Sequence, residues 1–130
     1  MTTSAIVVLA AGVMLVAIVI NRFLVTRSIP RVDAASASER VRHGDAVLLD
    51  VRTGAERRLG TIQGAVHIPL RELNVRSAEL TRFGTKEIIC FCQSGSRSLT
   101  AASRLRHRGI KASSLVGGIG EWNFVHRTRR

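Results

Sequence analysis

The sequence predicts an α/β domain with a central parallel sheet, preceded by one membrane-crossing helix. Three observations carry this. Short apolar runs of strand length alternate with helix-like stretches, the pattern of a parallel sheet with helical crossovers. The most apolar of these runs, Glu87–Phe91, opens into "CQSGSRS" (Cys92–Ser98), where a ligand site of such a sheet belongs. Finally, Ala5–Ile20 is an unbroken run of apolar residues and glycine. The length, 130 residues, suits one domain.

The elements follow in order. Residues 1–25 read as a transmembrane anchor. With its flanks, the apolar run reaches roughly 20 residues, enough at about 1.5 Å each to cross about 30 Å of hydrocarbon. A signal peptide would want a basic start and a small-residue cleavage site after the run. Here "NRFLV" follows instead, and no Lys or Arg precedes. A core helix apolar all round would be unusual in so small a domain. Arg22, Arg27 and Arg31 follow the span, so the positive-inside rule places the rest in the cytoplasm. Residues 26–35 read as a linker, broken at Pro30, with a short strand at Ile29–Val32.

Residues 36–126 form the domain. "SASE" (Ser36–Glu39) has the form of a capping box, and Gly44 ends the helix it starts. Ala46–Val51 reads as a buried strand, Gly54–Gly60 as a short helix and Gly64–Leu70 as a strand stopped at Pro69. Arg71–Phe83 reads as a helix, Glu87–Phe91 as a strand, and Ser98–Gly109 as a helix with Leu99, Ala101, Ala102 and Leu105 on its apolar face. Lys111–Val116 is the last strand, and Gly117–Val125 a turn and short helix. Residues 127–130 are a basic tail, and His126–Arg130 reads as frayed and solvated.

The formal net charge is +11, from 20 Lys and Arg against nine Asp and Glu. A basic domain beside a membrane can lean on anionic headgroups. A nucleic-acid partner is not expected, because one Trp, four Phe and no Tyr make no stacking platform. The only cysteines are Cys90 and Cys92, too close in sequence to join comfortably as a disulfide. A reducing compartment suits a free thiol there.

The loop can activate that thiol. A free cysteine ionises near pH 8.5, and a helix N-terminus or a cation lowers that by up to several units. The helix beginning near Ser98 aims its positive end at the loop, and Arg97 adds a full charge. Gly95 lets successive amides converge into an anion-binding nest, and Ser94, Ser96 and Ser98 add hydroxyls. An ordinary cysteine at a strand end is the bland alternative. Cysteine, glycine, arginine and a helix start within seven residues weigh against it.

Four blocks now carry a resemblance. "LLDVRTGAE" (Leu48–Glu56), "GTIQGAVHIP" (Gly60–Pro69), "IICFCQSGSRS" (Ile88–Ser98) and "LVGGIGEW" (Leu115–Trp122) resemble, in order and spacing, the blocks of a single rhodanese domain. The fold class this resemblance implies is rhodanese-like. The resemblance implies a sulfurtransferase in which Cys92 carries sulfane sulfur as a persulfide. Gln93, Ser94, Gly95, Ser96, Arg97 and Ser98 would form the cradling loop, with Asp50 and Arg52 supporting it. Trp122 and Gly117–Gly118 would be structural. The partners implied are a small sulfur donor or a persulfide-carrying protein, with membrane lipid around the anchor. No cofactor or metal is implied. His43, His67, His107 and His126 lack ligand spacing. A membrane-tethered binding module that retains the fold with little catalysis is the alternative.

Loop length separates this chemistry from that of the related dual-specificity phosphatases, which use C-x5-R. Here Cys92 to Arg97 is C-x4-R, and Phe91 stands where those enzymes carry His. Some positions depart from the rhodanese pattern. Thr61 replaces a usual His, His67 a common Asn and Arg57 a common aromatic residue. Gln93 stands where strong thiosulfate users often carry Arg or Lys. A pocket with one cation fewer implies poor turnover of thiosulfate and favours a persulfide donor. Cys90 is expected to be a small buried residue rather than a resolving thiol.

Overall fold

The computed structural model describes residues 2–128, without the side chains of residues 25–27. Five strands form one parallel sheet. In chain order they are β1 (Arg31–Val32), β2 (Ala46–Asp50), β3 (Val66–His67), β4 (Glu87–Phe91) and β5 (Ala112–Leu115). Their spatial order is β1-β5-β4-β2-β3, so β4 is central. The helices are α1 (Thr3–Arg27), α2 (Ala34–Arg42), α3 (Gly54–Arg58), α4 (Leu73–Arg76), α5 (Ser96–His107) and α6 (Gly118–Thr128).

The two-residue period of a strand builds both halves of the core. Along β4, Ile88 and Cys90 face one side, and Cys92 continues that row. Leu49, Leu73, Leu80, Ala101 and Leu105 pack there. Ile89 and Phe91 face the other side, among Ala37, Leu48, Leu115 and Ile119. Leu49, Ile89, Cys90 and Phe91 are each 0% exposed. The register sets Leu49 beside Cys90 and Asp50 beside Phe91.

α1 is continuous, and Thr3–Leu24 is long and apolar enough to cross a membrane. Its described side chains are exposed. The chain then enters the sheet at the N-terminal end of β1, within the stretch 26–35. Cys92 stands at the C-terminal end of β4.

Several elements differ from expectation for identifiable reasons. The helix expected to be capped at Ser36 starts earlier, because Asp33 is the cap: its carboxylate accepts from the Ser36 amide at 2.9 Å and the Ser36 hydroxyl at 2.8 Å. The helix expected over Arg71–Phe83 is broken into α4 between 3-10 turns at Leu70–Glu72 and Ser77–Phe83. Ser77 and Leu80 are buried and Phe83 half-buried. That three-residue spacing matches a 3-10 helix, where residues i and i+3 eclipse. The last helix continues through Thr128 rather than fraying at His126. The Trp122 and His126 rings, one turn apart, stack with centroids 4.1 Å apart. Arg129 and Arg130 lie outside the described residues.

Candidate active site around Cys92

The site begins where β4 runs out. The Phe91 carbonyl accepts the Val51 amide, and the Cys92 carbonyl accepts the Ile119 amide, at 3.1 and 2.9 Å. These bonds hold the strand end while the chain turns. Gly95 makes the turn at φ +115° and serves as N-cap of α5. The helix therefore starts at Ser96, two residues before its expected beginning near Ser98, and Arg97 and Ser98 belong to its first turn. Only that tight a turn brings free amides back over the thiol.

The Gly95 amide donates to Cys92 Sγ at 3.1 Å. The Cys92 thiol donates to Ser98 Oγ at 3.7 Å. Ser98 in turn bonds the Gly95 carbonyl at 2.9 Å and the Ser114 hydroxyl at 2.7 Å. Cys92 is 1% exposed. Burial pushes its thiol up, but the Ser98 and Gly95 amides, the Ser98 hydroxyl and the Ser94 amide outweigh it, and its pKa is lowered. Cys90 lies in the same row without such donors, and burial pushes its thiol well up. The chemistry of the two cysteines is thus set by their neighbours.

Arg97 departs from the expectation that it lends its full charge to the thiol. Its guanidinium grips Glu56 with two bonds, 2.8 and 2.7 Å long. Glu56 also closes a capping box with Thr53 at the start of α3. Hydrogen bonds from Arg97 and the Thr53 amide hold its carboxyl down at about 2. The loop amides and the Ser98 hydroxyl stabilise the ionised form of Cys92, and Arg97 ties the loop to the β2–α3 segment.

Asp50 and Arg52 sit beneath, at the end of β2. Both are buried. Arg52 Nε and Nη2 donate to the two Asp50 oxygens at 3.0 and 2.9 Å, and Nη2 also reaches the Gly60 carbonyl at 2.7 Å. Thr61, noted only as a departure from pattern, donates its hydroxyl to Asp50 at 2.9 Å. His67 Nε2 donates to the Arg52 carbonyl at 2.8 Å. The pair braces the loops around the cleft.

That cleft has a volume of about 460 Å³ and is lined by Arg52, Glu56, Leu59, Gly60, Thr61, Gln93, Ile119 and Asn123. Gln93 is exposed at its rim, as are Ser94 and Ser96 on the loop. Of the residues expected at the site, Arg52 and Gln93 line this cleft, Cys92, Gly95 and Ser98 are joined by hydrogen bonds, and Asp50 pairs with Arg52. Sequence reasoning missed Glu56 and Ser114 as members. Thr53-x-x-Glu56 carried a capping signal, but nothing local announced a bond from Glu56 to Arg97. Among the described residues, no group of three or more His, Cys, Asp or Glu could hold a metal ion.

A parallel sheet that ends in a cysteine cradled by amides defines a protein built for thiol-based group transfer. The chain belongs to the rhodanese-like family, whose domain model matches residues 33–124. It is 33% identical over 93 residues to a sulfurtransferase of Allochromatium vinosum, covering 70% of this chain and 85% of that protein. It is 34% identical over 110 residues to the human thiosulfate:glutathione sulfurtransferase, covering 75% and 91%. A crystal structure of a rhodanese-related protein from Thermoplasma volcanium matches with a TM-score of 0.65 at 30% identity, over 72% of this chain and 89% of that one. These relatives support sulfur transfer as the general activity.

Proposed function

We propose that this protein moves sulfane sulfur through a persulfide on Cys92. The observation that carries the reading is the Gly95 amide aimed at Cys92 Sγ from 3.1 Å. The same donors hold the pKa of Cys92 below that of an ordinary thiol, which favours the nucleophilic thiolate, and they receive negative charge on the outer sulfur afterwards. In the first step, Cys92–S⁻ attacks the outer sulfur of RS–SH, whose S–S bond breaks to release RS⁻ and leave Cys92–S–SH. In the second, an acceptor nucleophile Nu⁻ takes that sulfur as Nu–SH and restores Cys92–S⁻. The sulfurtransferase names of the relatives support this class of reaction. The neutral Gln93 at the rim supports a persulfide-type donor over thiosulfate. The exposed apolar α1 supports a single-pass anchor, and Arg22, Arg27 and Arg31 support a cytoplasmic domain.

The full-length protein in detergent tests the transfer. Incubation with glutathione persulfide or thiosulfate should add the mass of one sulfur at Cys92, removable by dithiothreitol. Failure to gain it from either donor would sink the reading, as would equal gain in Cys92→Ser.

A further inference from the structure

We infer that Glu56 is a specificity-determining residue, which selects thiol-borne persulfides over dianionic sulfur donors by keeping Arg97 occupied. The inference rests on the sulfur-transfer reading and concerns how the site chooses its donor.

Two guanidiniums stand at the site, and each is matched by one carboxylate. Arg52 is locked on Asp50 in the interior. Arg97 is locked on Glu56, 2.7 Å away, with the two side chains 36% and 31% exposed. These four charges sum to zero, and the rim adds only the neutral Gln93. The Glu56–Arg97 pair also stands as a wall between two clefts. Glu56 lines the one beside Gln93, and Arg97 lines a second, of about 320 Å³, with Thr53, Leu70 and two further arginines, Arg71 and Arg104. A donor approaching past Gln93 therefore meets the carboxylate side of the pair, not the guanidinium.

The consequence depends on donor charge. With thiosulfate the balanced step is Cys92–S⁻ + S–SO3²⁻ → Cys92–S–S⁻ + SO3²⁻. The S–S bond breaks, and sulfite leaves with its electron pair. Three negative charges then crowd a loop whose own cation, Arg97, is already neutralised by Glu56, and like charges repel at short range. With a thiol persulfide, Cys92–S⁻ + RS–SH → Cys92–S–SH + RS⁻, a single negative charge is carried at the reacting sulfurs, and the amides suffice. Glu56 itself cannot step aside by protonation in the working pH range. It is bonded to Arg97 and to the Thr53 amide and hydroxyl together.

Single-turnover loading of the full-length protein tests this, with thiosulfate and glutathione persulfide compared. Wild type should load from the persulfide with a second-order constant about tenfold or more above that for thiosulfate. Glu56→Gln should raise the thiosulfate constant relative to the persulfide constant about fivefold or more. Glu56→Asp, which keeps the charge, should retain the wild-type preference. A gain for one donor relative to the other is a result that structural damage cannot produce. A wild-type preference for thiosulfate would overturn the proposal whether or not the variants fold. So would equal changes for both donors in Glu56→Gln, or the same gain in Glu56→Asp. Absence of loading from either donor would instead defeat sulfur transfer itself.

Discussion

The amide of Ile119 donates to the carbonyl oxygen of Cys92 at 2.9 Å, so the first turn of α6 is hooked onto the backbone of the nucleophile. The approach is possible because Gly118 has no side chain. A Cβ there would collide with the Cys92 carbonyl oxygen and fall 2.6 Å from that of Gln93, at a backbone φ of +59°. Gly118→Ala must push the loop away or strain the helix start, at about 1–3 kcal/mol by the usual cost of overpacking. Sulfur loading of Cys92 should drop about tenfold or more, with a lower melting temperature. Loading kinetics and thermal denaturation measure both.

The lowered pKa of Cys92 has a definite sign. Alkylation of Cys92 should stay fast below the pH at which ordinary thiols fall silent, and slow only as pH falls through the folded-state pKa. Between that pH and the unfolded thiol's pKa, the unfolded chain holds a proton the folded one has lost. Stability relative to Cys92→Ser should therefore rise with pH across this window. Ser98→Ala removes a hydroxyl that helps hold the thiolate, and should move the alkylation midpoint upward. A pH series with iodoacetamide, read by mass spectrometry, checks both midpoints.

Cys90 should stay inert in that series. It is 0% exposed, and burial pushes its thiol up. Cys90→Ala should load sulfur within about twofold of wild type, since a buried free cysteine acts as a small apolar residue. Loss of turnover in that variant would instead mark it as a resolving thiol.

Asp50 accepts three bonds from Arg52, one of them from its amide, and one from Thr61. Asp50→Asn leaves a buried guanidinium without its counter-charge. Breaking one side of such a pair costs about 3–5 kcal/mol, a large share of a small domain's stability. Urea denaturation should show it. Adding Arg52→Met should recover part of the loss, because the stranded charge goes with it.

Much of this was legible in the chain because the signals were local. Ile88–Phe91 is apolar throughout and bounded by turns, and the strand falls where its composition puts it. Gly95 marked the turn. What escaped was tertiary. Arg97 and Glu56 are 41 residues apart in sequence, and no periodicity relates them. Arg97 read as a free charge for the thiol only because its partner was invisible. Ser114 looked like any strand residue until β5 lay beside β4 and set it against Ser98. The 3-10 turns at Ser77–Phe83 carry residues that also suit an α-helix, and the burial of Ser77 and Leu80 decides between them.

One feature of the parallel sheet reaches beyond the site. Such a sheet has a register, and it fixes where the apolar helix delivers the chain. Arg31 pairs with Ser114, and Ser114 pairs with Cys90. The entry into β1 is therefore level with Cys90, two residues short of the thiol, or roughly 7 Å along the strand direction at about 3.3 Å each. Hydrogen-bonded strands, rather than a pliant tether, thus set how far beyond the end of α1 the sulfur is carried.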